Sequence, residues 1–305
     1  MKILNPLLLV VMLGGLFGSC KKEDPLNISD VDNIPGLGGD TWAPGTIDKW
    51  IFDSLTVPYN IAVKYKWDQF ELELDRTIVP IKEEKIIPVM RAVKKVFLDT
   101  YTAEAGIQFI KKYSPKNYVL LGSGSYNADG SVNLGQAEGG RKIIIFQLNY
   151  FRAKDMSGYV PSDSLIIKQL FQTIHHEFGH VLHQGIYYTP DYTRISKSLY
   201  TTDWINYSDA EANQNGFVTK YSMSQPDDDF VEMIAIMLTE GRAGFDKIVN
   251  SIPAGTSTLG TTQALAKKNL RDKEAIIVNY FKQAWNIDFY SLQLKTRAAV
   301  AGLLY

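Results

Sequence analysis

All four histidines of this 305-residue chain fall between positions 175 and 183. Within that stretch His176-Glu177-Phe178-Gly179-His180 places two imidazoles four residues apart. Residues at that spacing stand one above the other on a helix, so His176 and His180 can take one metal ion from the same side. Nitrogen donors in a tetrahedral site suit zinc. Zinc lowers the pKa of a water that it binds to about 7. The carboxylate of Glu177, beside the first histidine, can take the proton of that water and hand it to a leaving amine. The chemistry these residue types support is therefore metal-assisted hydrolysis. Gly179 inside the helix costs about 1 kcal/mol relative to Ala. Close approach of another backbone or of substrate explains it, and so does simple tolerance.

A catalytic zinc takes three protein ligands and keeps an open position. His183 shares the face of His176 but lies about 10 Å along the axis at 1.5 Å rise per residue, too far for one ion. His175 points away from the pair. The third ligand is then an Asp or Glu from elsewhere, and Pro226-Asp227-Asp228-Asp229-Phe230-Val231-Glu232-Met233-Ile234 is the best region. Capping and the helix dipole explain part of the acidic cluster Asp227 to Asp229. Glu232, set among apolar residues, needs a partner if buried. Asp228 and Glu232 are four apart and can both face the first helix. One would bind the ion while the other accepts the free ring N–H of a ligand histidine, and the residues alone leave open which does which.

The elements that position these side chains follow from periodicity. Ile61 to Trp67 alternates apolar and polar and reads as a strand. Residues 83 to about 109 read as one helix, with Ile87, Met90, Val93, Val96 and Phe97 near helical spacing. Tyr118 to Leu121 and Ile143 to Phe146 are short apolar runs that read as strands, and residues 135–140 as a turn-rich loop. Pro161-Ser162-Asp163 has N-cap chemistry for the histidine helix, and Gly185 stands where its stop belongs. Ile167, Leu170, Phe171, Ile174, Phe178, Val181 and Leu182 line its apolar face. A second helix opens at Pro226 and stops at Gly241, and an amphipathic helix spans about 262–283. This order is α+β: a small mixed sheet packed on the histidine helix, followed by a helical C-terminal part.

At the N-terminus Lys2 precedes an apolar run from Ile3 to Phe17, too short for a comfortable membrane span and flanked like a signal peptide. It ends in Phe17-Gly18-Ser19-Cys20, which resembles a bacterial lipobox. Cys20 is the lone cysteine, so no intrachain disulfide is possible. The expected organisation is a lipoprotein signal peptide at 1–19, a flexible tether at 20–42 beginning with lipidated Cys20, and a folded domain at 43–305. A formal net charge of -1 gives no support for nucleic-acid binding or for a polybasic membrane tether.

The motif from His176 to His180, Tyr221, Asp228 and Phe230-Val231-Glu232 resembles the anthrax lethal factor group of gluzincins. That resemblance implies a zincin-like metalloprotease domain in which Asp228, seven residues after the tyrosine, is the zinc ligand, at a position where the group usually has Glu. It implies that Glu232 supports a ligand histidine, and that Tyr221 stabilises an oxyanion or donates a proton. Over nearly the whole chain the sequence resembles the substrate import-associated zinc metallohydrolase lipoproteins of Bacteroidetes. The matching stretches are Pro58 to Val63, Tyr65 to Asp68, the histidine helix, Tyr221 with Pro226 to Glu232, and Trp285-Asn286-Ile287-Asp288-Phe289. This implies an outer-membrane lipoprotein encoded beside TonB-dependent nutrient importers and their binding lipoproteins, its expected partners, with peptide or protein as substrate. Lys22-Glu23-Asp24, just after Cys20, resembles the surface-export signal of Bacteroidetes lipoproteins and implies exposure at the cell surface.

Two functions are consistent with these features. One is a zinc endopeptidase or related amide hydrolase. The other is a non-catalytic lipoprotein that presents substrate to an importer, with a structural metal. Structural zinc sites commonly use four ligands, often several cysteines, and this chain has a single one, Cys20. A peptide substrate could add as a strand along Lys142 to Leu148 or Val132 to Gln136. Tyr187, Tyr188, Tyr192, Tyr200 and Trp204 could line a cleft, but packing is the expected role.

Overall fold

The computed structural model describes residues 44–68, 71, 78–126, 132–133, 135–138 and 141–305. The expected signal peptide, Cys20 and the tether lie outside the described residues. Residues 44–305 form one compact unit.

Three short apolar segments make the parallel part of the sheet. Helix α1 (Thr46–Ile51) continues through a π-helical turn (Phe52–Thr56) and a last turn (Val57–Tyr59), then ends at Asn60, whose φ is 55°. Strand β1 (Ala62–Lys64) follows, shorter than the expected 61–67. Helix α2 (Glu83–Val93) runs through a π-helical stretch (Lys94–Leu98) into α3 (Asp99–Ala105), and α4 (Ile107–Tyr113) comes next. The single helix expected here is broken at Gly106, whose φ of 81° lies in the region open to glycine. Strand β2 (Asn117–Leu120) then pairs in parallel with β1. Two short strands, β3 (Ser125–Tyr126) and β4 (Val132–Asn133), pair antiparallel as a separate ribbon. Strand β5 (Gly135–Glu138) and β6 (Lys142–Ile145) complete a four-stranded sheet of order β1-β2-β6-β5, with only β5 antiparallel.

This order corrects two expectations. Residues 135–138 are a strand, although Gly, Gln, Ala and Glu are poor strand formers. Gly135 is there for space: a Cβ at that position would collide with Thr173, one turn ahead of His176. Lys142 to Ile145 lies between β2 and β5, so it offers no free edge for a substrate strand. The edge of the sheet on that side is β5.

Side chains alternate across the sheet as a period of two demands. Tyr118, Leu120, Ile143 and Ile145 enter the main core, while Val119, Leu121, Ile144, Phe146 and Ile78 form a smaller cluster on the other face. The histidine helix α5 (Ser164–Gly185) lies against the main core. It begins after a 3-10 turn at Pro161–Asp163, where Asp163 accepts the Val160 N–H. Its expected apolar residues are buried, except Val181, which is half-buried.

The rest is helical: α6 (Asp191–Ile195), α7 (Asp209–Gln214), α8 (Pro226–Ser251), α9 (Gln263–Trp285) and α10 (Phe289–Leu304). Helix α8 does not stop at Gly241 but kinks there, with φ 70°. The aliphatic stem of Arg297 fills the space that a side chain at 241 would need, with its Cγ 2.6 Å from the would-be Cβ. Among the described residues no helix is long and apolar enough to cross a membrane.

Candidate metal centre

The helical repeat of α5 puts the rings of His176 and His180 4.9 Å apart on one face. Helix α8 packs on that face, and Gly179 is what permits it. A Cβ on Gly179 would sit 2.9 Å from both Cβ and Cγ1 of Val231. The close-approach reading of this glycine therefore holds, and the approaching element is α8.

That contact delivers Asp228 to the histidines. Asp228 Oδ1 lies 3.3 Å from His180 Nε2 and 3.9 Å from His176 Nε2. The three donor atoms lie within 4.8 Å of one another. Zinc bonds of 2.0–2.1 Å in a tetrahedron require donor separations of about 3.3 Å; the His180–Asp228 pair stands at that distance and the His176–Asp228 pair is wider, which makes the group a candidate zinc site. The other oxygen, Asp228 Oδ2, accepts from Ser224 Oγ at 2.7 Å and Gln225 Nε2 at 3.0 Å. Burial opposes the charge on Asp228, but His180, Ser224 and Gln225 outweigh it and hold the carboxyl below its ordinary value.

Each imidazole is held at its other nitrogen. His176 Nδ1 donates to Glu232 Oε2 at 2.9 Å, and Glu232 Oε1 accepts from Thr219 Oγ1 at 3.0 Å. Glu232 thus orients His176 and stands outside the donor group. His180 Nδ1 lies 2.9 Å from His183 Nε2. Burial opposes the charged form of His176, yet the carboxylates of Glu232, Glu177 and Asp228 hold it above the ordinary imidazole value. His175 points into the core between Phe97 and Tyr101, where burial drives its pKa down to about 3.

Glu177 is half-buried. Burial pushes its carboxyl up; His176 and His180 pull it down, Asp228 and Glu232 push it further up, and the net shift is upward. Tyr221, in a 3-10 turn (Tyr221–Met223), is brought to the same site with its ring 5.6 Å from that of His176 and 5.0 Å from that of Trp204. Burial and the charges of Asp228, Glu177 and Glu232 raise its phenol, which stays protonated.

The acidic turn of α8 is less a cap than three separate anchors. The N-cap residue, Gln225, makes no side-chain cap bond. Asp227 Oδ1 accepts from Tyr188 at 2.6 Å, Asp228 faces the histidines, and Asp229 meets Lys273 Nζ at 2.7 Å in the interior. Tyr200 donates to Asp229 Oδ2 and Tyr192 to its backbone carbonyl, both at 3.0 Å. The tyrosines after α5 therefore serve mainly to fix this turn, while Tyr187 is exposed. The sequence rightly excludes His183 as a ligand but does not bring out its contact with His180, and it does not single out Thr219, Ser224, Gln225 or Lys273. Only His183 carried a usable signal, its i,i+3 spacing from His180.

A family model described as "putative zinc-binding metallo-peptidase" matches residues 40–290. The chain belongs to that family. A crystal structure of a "putative zinc-binding metallo-peptidase" from Bacteroides caccae is similar at a TM-score of 0.66 and 28% identity, covering 85% of this chain and 95% of that one. No curated protein matches. Membership in a zinc-binding metallo-peptidase family and the His176, His180, Asp228 donor set agree on the cofactor, which is zinc.

Proposed function

We propose that this chain is a zinc-dependent endopeptidase or related amide hydrolase of zincin-like architecture. The observation that carries the reading is a three-donor set, His176, His180 and Asp228, with the half-buried carboxylate of Glu177 on the same helix turn. Three protein donors suit a catalytic ion, which keeps a position for reactants, better than a structural one. Bound zinc would supply Lewis acidity, polarising a scissile carbonyl and easing deprotonation of water.

The remaining work falls to side chains. Glu177 accepts the proton of the attacking water and returns it to the departing amine. Tyr221, kept protonated by its neighbours, donates a hydrogen bond to the developing oxyanion. Glu232 holds His176 in the tautomer that leaves Nε2 free. Among the described residues β5 is the last strand on its side of the sheet, a place that suits an added peptide strand. The lipobox-like Cys20 and the resemblance to import-associated lipoproteins support a tethered enzyme on the outer face of the outer membrane, acting beside a TonB-dependent importer and its binding lipoprotein.

The test uses zinc-loaded protein and a broad peptide library, comparing wild type with Glu177→Gln. The variant should keep one zinc and lose cleavage by about 10²–10⁴-fold. A wild-type protein that holds zinc and cleaves no peptide, or a Gln variant that cleaves as well as wild type, would contradict the proposal.

A further inference from the structure

His183 has no part in the hydrolytic scheme above, yet it is 1% exposed and touches a candidate ligand. It sits one turn beyond His180 on α5, with ring centroids 5.2 Å apart. Tyr187, Tyr188 and Phe230 enclose its ring at 5.7, 5.8 and 6.3 Å. That packing removes the freedom of the imidazole to swing away. Its Nε2 lies 2.9 Å from His180 Nδ1.

A neutral imidazole carries one N–H, and a nitrogen that binds a metal must present its lone pair. For His180 Nε2, which faces Asp228 Oδ1 at 3.3 Å, the proton then has to reside on Nδ1 and needs an acceptor there. His183 Nε2 is the acceptor at hydrogen-bond distance. We propose that His183 is a positioning residue for zinc: it accepts the Nδ1–H of His180 and thereby fixes both the tautomer and the ring angle that aim His180 Nε2 at the ion. The two metal histidines are then held by the same device with different acceptors, a carboxylate for His176 and a neutral imidazole for His180. His183 must accordingly carry its own proton on Nδ1, which is buried without a hydrogen-bond partner among the described residues. The inference rests on the reading of His180 as a zinc ligand.

The experiment measures zinc affinity by competition with a chromophoric chelator for the full chain and for His183→Leu, His183→Gln and His180→Ala. It is joined to ¹⁵N NMR of histidine-labelled, zinc-loaded wild type. His183→Leu should weaken zinc by about 10–100-fold. His183→Gln should recover most of that loss, because its amide oxygen can accept the same N–H. The spectrum should show His180 protonated at Nδ1 and His183 unprotonated at Nε2. Wild-type affinity in the Leu variant, a Gln variant as weak as the Leu variant, or a proton on His183 Nε2 would each overturn the proposal. If His180→Ala binds zinc as wild type does, the ligand assignment itself fails. If His180→Ala loses zinc and His183→Leu does not, only the positioning role fails. Should the Leu variant not fold, the wild-type spectrum decides.

Discussion

Lys273 Nζ lies 2.7 Å from Asp229 Oδ2, and both side chains are fully buried. The lysine also donates to the Gly216 carbonyl at 2.9 Å and stands 4.2 Å from the Phe217 ring centroid. This pair pins the first turn of α8 to α9, one residue from Asp228. Removing one partner of a buried ion pair leaves an uncompensated charge, whereas replacing both with apolar residues is often tolerated. Lys273→Met should therefore cost about 3–5 kcal/mol of stability and loosen zinc through its effect on Asp228. Adding Asp229→Leu should recover part of the stability. Urea unfolding of the metal-free proteins checks both, and a Lys273→Met protein as stable as wild type would refute the anchoring role.

Gly179→Ala sets two effects against each other. Alanine favours a helix over glycine by about 1 kcal/mol. The added methyl, however, meets Val231 at 2.9 Å, with its backbone Cα at 3.5 Å. Overpacking of this kind costs about 1–3 kcal/mol, so the net result is destabilisation and a wider gap between His180 and Asp228. Thermal unfolding and zinc affinity should both fall. A variant more stable than wild type with unchanged zinc binding would mean that α5 and α8 are not in close contact.

Tyr221→Phe removes one hydroxyl and no metal donor. Zinc content should be unchanged while kcat falls by about 10²–10³-fold, the loss typical of one oxyanion donor. A variant with wild-type kcat would leave Tyr221 as a packing partner of Trp204 and His176.

The helical part of the site was legible because it is local. Four-residue spacing alone puts His176 and His180 together, and a carboxylate amid Phe230, Val231 and Met233 announces that Glu232 needs a partner. Asp228 over Glu232 as third donor came from resemblance, since both face the same way from α8. The contact of His183 is harder to read because axial rise separates it from the ion while its i,i+3 spacing brings it to the ring nitrogen of His180. Asp229 with Lys273 is a pairing between distant segments that no local pattern reveals. In the fold, β5 escaped notice because Gly135 answers to the bulk of Thr173 on another element rather than to strand preference. Gly241 reads as a stop and Gly106 carries no signal of its break, because a glycine permits a break, a kink or neither; at Gly241 the packed stem of Arg297 goes with a kink.

Glu71 ties two strands that are not neighbours, accepting from Lys64 of β1 and from Lys142 Nζ of β6, the latter at 3.0 Å. Burial opposes its charge, but the two lysines outweigh that and hold its carboxyl below the ordinary value. A depressed carboxyl contributes stability that is complete above its unfolded pKa of about 4.3 and is lost as pH falls through the folded value. The stability gap between wild type and Glu71→Gln should accordingly be constant near neutrality and close as the pH drops below about 4.3. Denaturant midpoints across that range measure it, and a gap that widens on acidification would have the wrong sign.

The central claim is that one zinc ion is held by two nitrogens of one helix turn and a carboxylate of α8. Anomalous diffraction at the zinc edge from crystals of zinc-loaded protein tests it directly. The peak should lie about 2.0–2.2 Å from His176 Nε2, His180 Nε2 and an oxygen of Asp228, with Glu232 still on His176 Nδ1. A peak bonded to Glu232 in place of Asp228, or one away from both histidines, would contradict the account.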